Sequence, residues 1–513
     1  MSEIFICMLK DSNDKPLLKS RRFVLSRYLG QVTSLLAFIL SSALTTSLTH
    51  ASALTNIWFV QAGATGDGKS LENPIGSTIL LERKSGSGDT IFLLQSDSVL
   101  DGGLELKSGQ NLIGLTNDGH KPVITNSDST RNNGNGIVLA DNNQVSNIRI
   151  EDTFASGIYG VNVSAINIDG VDVHGANRSE SYIEAKYPTL PGSLPHGGMV
   201  FTHSVSPAKV MVTSSIVTQA SGFGIVSLTT DSVHSSLSVS HTQVDGGTKI
   251  GFFDAGISAL VRGPAVRVQL DVSDSQVWGR LSRSGRNVMV VASDGAHADI
   301  RVERFFSGHT GQDGIVMAVM QSPSEINLYI GDSLIEGAGQ MNVEGTLVNL
   351  EPVDPSRANE GKISIEIEGS TLRNAGAVTG FEDVAANIWL GGSQFLKGRL
   401  PAEGTYKLRI TDSRIEGAGR SGLEFGALSL LRAGQAERSV YDVVLRDNTI
   451  INNGEADVMI YAPNAHIDAR GNCWGRVEGL EENRVIILSP AKNSQLDAKE
   501  PITCKGEPNG AFK

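Results

Sequence analysis

The sequence predicts an all-β fold in which short strands stack turn upon turn around one axis. The chain of 513 residues contains 57 glycines, and only 5% of its residues are aromatic. After residue 90 no segment keeps the 3.6-residue periodicity of an amphipathic helix. Short runs with apolar residues at alternate positions recur instead, separated by Gly, Asn, Asp and Ser. These are the features of a repetitive β protein.

The first 53 residues have the order of an export signal. A region with six basic and three acidic residues comes first, and the apolar stretch 34–44 follows it. The small residues Ala51-Ser52-Ala53 come last, as at a signal cleavage site. The stretch is shorter than the about 20 residues that span a bilayer, so we do not expect an integral membrane protein. Ser20-Arg21-Arg22-Phe23 resembles a twin-arginine motif, and an ordinary Sec signal with a chance arginine pair is the alternative. We expect export, to the periplasm or to the cell surface and medium.

Charge and cysteine content narrow the partners. Without residues 1–53 the chain carries 37 basic and 52 acidic residues, a net charge of −15. Such a surface argues against a nucleic-acid partner and repels polyanions unless metal ions intervene.

Cys7 belongs to the signal, so Cys473 and Cys504 remain. In an exported chain they predict one disulfide that fixes the C-terminal tail, the alternative being two unpaired thiols.

Two repeated phrases define the turn. Gly136-Ile137-Val138 and Gly157-Ile158-Tyr159 open similar units whose glycines are 21 residues apart. Further on, a second phrase begins with Asp or Gly followed by a small polar residue. It starts at Asp274, Asp332, Gly369, Asp412 and Asp447. The spacings between these positions are wider, which predicts either added loops or an intervening turn that lacks the phrase. One such turn cannot bury its own apolar face, so turns stack at about 4.8 Å. At roughly 30 residues per turn, residues 103–475 give about 12 turns.

With these repeats the chain resembles the right-handed parallel β-helix proteins, the pectin-lyase-like superfamily. The resemblance covers most of residues 100–475. It implies a single-domain right-handed parallel β-helix over residues 101–475, after an N-terminal cap over 54–100 and before a C-terminal cap tail over 476–513. That fold carries lyases, hydrolases, esterases, epimerases and adhesins, so it predicts architecture more specifically than activity.

The two ends of the chain strengthen the resemblance. Residues 58–70 look like the opening segment of exported β-helix proteins, and Arg470-Gly-Asn-Cys-Trp-Gly475 looks like their closing phrase. We expect Leu80–Arg83 to form a short helix that covers the open end, because an exposed strand edge needs a cover. The disulfide between Cys473 and Cys504 would hold the tail over the last turn.

The clearest departure from the repeat is the polar segment 174–203. It contains two of the eight tyrosines and three of the ten histidines. Tyr rings stack on sugars, while Arg, Glu and His bond hydroxyls or carboxylates. We interpret it as a glycan-binding loop beside a sheet face, and a surface insertion that binds nothing specific is the alternative. The candidate residues are Arg178, Tyr182, Glu184, Lys186, Tyr187, His196 and His203.

A second polar cluster lies between residues 278 and 313. Arg forks suit uronate carboxylates. The alternative is that these charges are outward positions that alternate with inward apolar residues, and this alternative is the favoured interpretation. The cluster consists of Trp278, Arg280, Arg283, Arg286, Asp294, His297, Arg301, Arg304, His309 and Asp313.

The sequence names no catalytic residue. The strings typical of polygalacturonases, pectate lyases and mannuronan epimerases do not occur, and neither does a metal-binding motif. No cofactor is evident, although a lyase would use calcium. We expect an exported protein that binds an extracellular polysaccharide, with cleavage by a lyase or glycoside hydrolase reaction left open. The alternative is a non-catalytic surface or adhesion rod.

Overall fold

A computed structural model of the chain describes residues 55–116, 119–184, 193–231, 233–247, 254–320, 323–348, 361–376, 385–393, 404–428, 438–475, 481–488, 493–499 and 501–504. The predicted export segment lies outside these residues, as do Lys186 and Tyr187.

Three sheets account for nearly all the strands. Sheet A has 15 strands. In spatial order they are Ile57–Val60, Thr90–Leu94, Asn111–Leu115, Gln144–Ser146, Ile166–Asp169, Ala208–Thr213, His234–Ser240, Arg267–Ser273, His297–Glu303, Glu325–Gly331, Gly361–Glu368, Gly404–Thr411, Val440–Arg446, Ala465–Asp468 and Gln495–Asp497.

Sheet B has 11 strands and sheet C has 13. Sheet B consists of Val123–Ile124, Arg149–Glu151, Asp172–His174, Ile216–Thr218, Gln243–Asp245, Gln276–Trp278, Phe306–Ser307, Leu334–Glu336, Thr371–Arg373, Arg414–Glu416 and Thr449–Ile451. Sheet C consists of Leu104–Glu105, Ile137–Leu139, Ile158–Val161, Gly197–His203, Phe223–Thr229, Asp254–Arg262, Gly285–Ser293, Asp313–Met320, Met341–Val348, Ala386–Ser393, Ser421–Phe425, Ala456–Ile460 and Val485–Ile487.

The remaining elements are small. Strands Tyr182–Glu184 and Ser193–Pro195 form an antiparallel hairpin. The α-helix of the described residues, α1, spans Thr78–Lys84. Short 3₁₀ segments lie at Asn132–Gly134 and Glu482–Arg484.

The chain visits the sheets in the order C, A, B and then begins the next turn. Neighbouring strands within each sheet are parallel and pair with the equivalent strand of the adjacent turn. Among the described strands, twelve of sheet A lie between Asn111 and Asp468, which confirms the predicted number of turns. The fold is therefore the expected right-handed parallel β-helix.

Aliphatic columns fill the interior. Along the sheet A strands, alternate residues point inward and meet their counterparts in the adjacent turns. Each member of one such column is at most 4% exposed, and the column stacks Leu237, Leu270, Ile300, Leu328, Ile365 and Leu408. Because each turn contributes one small aliphatic group per row, the few aromatic residues suit this narrow core.

The bend from sheet A to sheet B explains the second repeated phrase. It begins with a residue at left-handed φ, such as +47° at Asp332 and +50° at Asp412. The Ser that follows donates its hydroxyl to the carbonyl two residues back and accepts a backbone N–H from the adjacent turn. Ser333, for example, bonds the Gly331 carbonyl at 2.7 Å and the Phe305 amide at 3.1 Å. The predicted intervening turn that lacks the phrase lies between Asp274 and Asp332. Its bend has Arg304 at the left-handed position, with φ +46°.

Both predicted end features are present. Helix α1 contains the expected segment Leu80–Arg83, and its Leu81 is fully buried in the core. Its N-cap, Ser77, accepts the Leu80 amide at 3.3 Å. At the other end a disulfide joins Cys473 and Cys504, which are 31 residues apart. The predicted disulfide that fixes the tail is thereby confirmed.

Candidate functional site

An open groove of about 810 Å³ lies on the outer face of sheet A. It crosses six neighbouring strands, from Arg267–Ser273 to Val440–Arg446. The parallel register aligns outward side chains of successive turns, so its polar lining forms two lengthwise rows. One row is Gln269, Asp299, Asn327, Ser364, Lys407 and Asp442, and the other is Asp271, Arg301, Tyr329, Glu366, Arg409 and Val444.

Tyr329 is the aromatic residue of this lining and is held from two sides. The Arg301 guanidinium lies over its ring at 4.5 Å. The Tyr329 hydroxyl donates to Glu368 Oε2 at 3.2 Å. Burial and the neighbouring Glu368 carboxylate raise the pKa of the Tyr329 hydroxyl, so it stays a neutral donor at physiological pH. The ring therefore has a fixed orientation in the groove.

The acidic side chains before Tyr329 are bonded within the groove. Asp299 accepts from Asn327 Nδ2 at 3.0 Å and lies 2.9 Å from His297 Nε2. Asp271 accepts from Gln269 Nε2 at 2.8 Å, and burial raises the pKa of its carboxyl group. This end of the groove is internally satisfied.

The other end of the groove carries charges without such partners. Lys407 and Arg409 are two exposed cations on one strand, separated by the inward residue Leu408. Their register neighbours are Glu366 and Asp442, also exposed. Among the described residues, none of these four charged side chains makes a hydrogen bond or ion pair. They are available to carboxylate and hydroxyl groups of a ligand.

None of the described loop residues lines this groove. Arg178 is exposed and 3.6 Å from Asp152, and Tyr182 is exposed on the hairpin. Glu184 ends the same hairpin strand, while Lys186 and Tyr187 lie outside the described residues. The proposal that these side chains bind glycan stays a prediction.

The two predicted histidines are buried. His196 Nδ1 lies 2.6 Å from Ser156 Oγ, and its ring contacts that of Tyr159 at 5.4 Å. His203 pairs in register with Thr229 and has the inward parity of Phe201, so its ring belongs to the coil interior. Burial lowers the pKa of each histidine to about 4, which keeps both neutral.

The polar cluster between residues 278 and 313 is not a row of outward charges, and the favoured interpretation is wrong for three of its members. Arg280 is fully buried and donates to the Gly222 carbonyl and to Asp254 Oδ1, both at 2.9 Å. Arg286 is buried 3.4 Å from the buried Asp313. For Arg286 and Asp313 the reason is that the outer face of sheet C is covered over these strands, so outward residues there are not solvent-exposed. Arg280 lies in the connection between sheets B and C, where its charge is paired with Asp254.

Buried acids continue along this outer face. Glu344, Trp389 and Glu424 are consecutive in register, and none is more than 7% exposed. Burial raises the pKa of Glu424 to about 7, although the adjacent Arg420 acts against it. Burial and the neighbouring Asp313 raise the pKa of Glu344 well above its usual range. Because these acids are shielded from solvent, they bear on stability rather than on binding in the groove.

No helix in the described parts of the chain is long and apolar enough to cross a membrane. No group of three or more His, Cys, Asp or Glu side chains there is arranged to hold a metal ion.

Sequence analysis did not single out Tyr329, Lys407 or Arg409. Their signal is local, since each occupies an outward position of an alternating strand. Their alignment depends on strand register, which the repeat does not reveal.

Comparison with known proteins finds distant similarity to solved structures. No protein-family model and no curated protein matches the sequence. Among solved structures, pectate lyase Pel9A is 11% identical with a TM-score of 0.27, covering 88% of this chain and 79% of its own. The lacto-N-biosidase of family GH136 from Eubacterium ramulus is 12% identical with a TM-score of 0.27, covering 87% and 67%. The A-module of the Azotobacter vinelandii mannuronan C-5 epimerase AlgE4 is 12% identical with a TM-score of 0.28, covering 87% and 100%.

The class of protein is defined by the architecture of the chain itself. Its parallel sheets of stacked strands make it a right-handed parallel β-helix protein.

Proposed function

We propose that this is an exported protein that binds an extended polysaccharide along the sheet A groove. The observation that carries the proposal is the pair of exposed, unpartnered cations Lys407 and Arg409 in the same groove as the fixed ring of Tyr329. An aromatic ring of fixed orientation beside charges without partners suits recognition of a sugar chain.

The shape of the groove suits a chain rather than a single sugar. It crosses six strands of sheet A. At about 4.8 Å between strands, this is about 24 Å along the axis. Its walls are strand residues whose backbone is fixed by pairing on both sides, so binding costs little ordering of the protein.

The charges of the lining select the type of polysaccharide. Its acids are Asp271, Asp299, Glu366 and Asp442, and its bases are Arg301, Lys407 and Arg409. A uniform polyanion would meet four carboxylates, whereas an occasional uronate can place its carboxylate between Lys407 and Arg409. The proposed ligand is therefore a polysaccharide of mainly neutral sugars with interspersed uronates.

The test is binding to a panel of neutral, mixed and uniformly acidic polysaccharides, measured by calorimetry and affinity electrophoresis. We expect the mixed polymers to bind best. The double substitution Lys407→Ala/Arg409→Ala should weaken that binding at least tenfold, because charge-assisted hydrogen bonds contribute about 1.5–3 kcal/mol each.

Lys209→Ala is the matched control. Lys209 is an exposed lysine in the same lengthwise row of sheet A, outside the groove. Its removal should leave affinity unchanged. Equal effects of the two changes, or no binding by any polymer, would contradict the proposal.

The same panel distinguishes an enzyme from a binding rod. Products are assayed as unsaturated uronates for elimination and as new reducing ends for hydrolysis, with and without calcium. Binding without either product supports the adhesion-type rod, and a product lost in the Lys407→Ala/Arg409→Ala variant supports catalysis in the groove.

A further inference from the structure

A second cavity, of about 570 Å³, lies where the outer face of sheet C turns into sheet A. Its walls come from the ends of four sheet C strands, from the turns that follow them and from the hairpin. The lining includes Tyr159, Val161, Ile183, Leu228, Thr230 and Arg262.

The segment between sheets B and C forms one wall. Between Thr218 and Phe223 the connection has 4 residues, whereas between His174 and Gly197 it has 22. The longer connection places Ile183 against the apolar cluster on the outer face of sheet C. An ordinary turn would leave this side of the cavity open.

The lining combines an apolar side with compensated polar groups. Val161 is 49% exposed, Leu228 lies two turns further along the same row beyond Thr202, and Tyr159 adds an aromatic ring. Opposite them the Thr230 hydroxyl donates to Asp231 at 2.8 Å.

The cation of the cavity is also compensated, since Arg262 Nε donates to Asp294 Oδ2 at 2.6 Å. A sugar ring has this dual character, with an apolar face and hydroxyl groups. Because the cation is paired, the lining favours a neutral ligand over an anionic one.

The position of the cavity relates it to the groove. Pro264 lines the cavity, and five residues later Gln269 lines the groove. At about 3.3 Å per residue the two sites are at most about 17 Å apart along this strand. Asp294 and Asp299 connect the two sites in the same way in the next turn.

We propose that this cavity binds one neutral sugar unit, carried as a branch on the polysaccharide that the groove holds. The cavity is a site of its own, and only the assignment of the unit as a branch rests on the proposed function. The ligand of the whole protein is then a branched heteropolysaccharide rather than a linear one.

The experiment uses the mature chain, residues 54–513, and methyl glycosides of the neutral sugars glucose, galactose, mannose, xylose, arabinose and fucose. Binding is followed by saturation-transfer difference NMR at millimolar concentration. We expect at least one glycoside to bind, and Val161→Trp, which fills the cavity from its rim, to reduce the signal at least fivefold. Tyr159→Phe, which keeps the ring, should reduce it about two- to fivefold through loss of one hydrogen bond.

Val205→Trp is the matched control, because Val205 is 75% exposed in the neighbouring turn and does not line the cavity. It should retain the signal, as should Lys407→Ala/Arg409→Ala, which tests the groove separately. No binding of any glycoside, or a signal in Val161→Trp equal to the wild-type signal, would overturn the cavity site while leaving the groove proposal intact.

The branch assignment has its own readout. Adding the polysaccharide that binds best in the panel should displace the glycoside and reduce its signal by more than half. A signal that persists while the polysaccharide is bound would overturn the assignment of the sugar unit as a branch.

Discussion

Glu424→Gln tests the buried acids of sheet C. Glu424 is 1% exposed, and one of its carboxyl oxygens, Oε1, has no hydrogen-bond partner among the described residues. Burial raises its pKa to about 7 from 4.5, although Arg420 acts in the opposite direction. The folded state therefore holds a proton that the unfolded chain releases. Gln is a neutral group of the same shape and does not titrate.

The sign follows from this raised pKa. Below pH 4.5 both states are protonated and the contribution of Glu424 is fully present. As the pH rises from 4.5 towards 7, the unfolded chain releases the Glu424 proton while the folded state keeps it, so the free energy of unfolding falls. The contribution of Glu424 is lost once the pH exceeds the pKa of the folded state. At about 1.4 kcal/mol per pKa unit, the free energy of unfolding falls by about 3 kcal/mol over this window. Glu424→Gln should thus match the wild type near pH 4.5 and exceed it by up to about 3 kcal/mol at pH 8.

The assay is urea denaturation at several pH values between about 4.5 and 8.5, followed by far-UV circular dichroism. Glu455→Gln is the matched control, because Glu455 is exposed and lies 3.6 Å from the same Arg420. It should change stability by less than about 0.5 kcal/mol at every pH. A Glu424→Gln variant less stable than the wild type at pH 8, or a difference that does not vary with pH, would refute the reasoning.

Two further predictions concern the coil itself. Ser333→Ala leaves the Phe305 amide without its acceptor in a buried bend, so the free energy of unfolding should fall by about 1–3 kcal/mol. The control Ser364→Ala lies outside the bends and should change the free energy of unfolding by less than about 0.5 kcal/mol. Equal effects of the two substitutions would contradict the role of the bend. Cys504→Ser opens the loop closed by the disulfide and should lower stability by about 4 kcal/mol on the chain-entropy estimate. Reduction of the wild type should cause the same loss in thermal melts, whereas a loss on reduction that also occurs in Cys504→Ser would have another origin.

The fold was predictable because its physics is local and repeated. The left-handed residue recurs in all five phrases, and a serine hydroxyl follows it in four of them, as at Asp332 and Ser333. In the fifth phrase the Asn448 side chain accepts the amide of the adjacent turn instead. The number of turns follows from the length of one unit, and the disulfide follows from the two cysteines outside the predicted export segment. Each of these inferences requires only the spacing of residues along the sequence and not the register between strands.

The covered face of sheet C left a signal that the sequence analysis did not use. Strands Gly285–Ser293 and Asp313–Met320 contain continuous apolar runs instead of alternation, which is the pattern of strands buried on both faces. Reading the runs in this way would have placed Arg286 and Asp313, which begin them, under cover rather than in solvent. An inward or outward assignment based on alternation alone fails where a sheet is covered on both sides.

The groove depends on information that no single strand contains. Tyr329, Glu366 and Arg409 are in register on three successive turns, yet 37 and then 43 residues separate them in sequence. The separations differ because connections between sheets differ in length, for example 4 residues between Met320 and Glu325 and 12 between Val348 and Gly361. A long connection shifts positions in the sequence but not on the sheet, because strand pairing restores the register. A binding surface of such a coil is therefore formed by residues from several turns. These residues can be identified only when the register between the stacked turns is known.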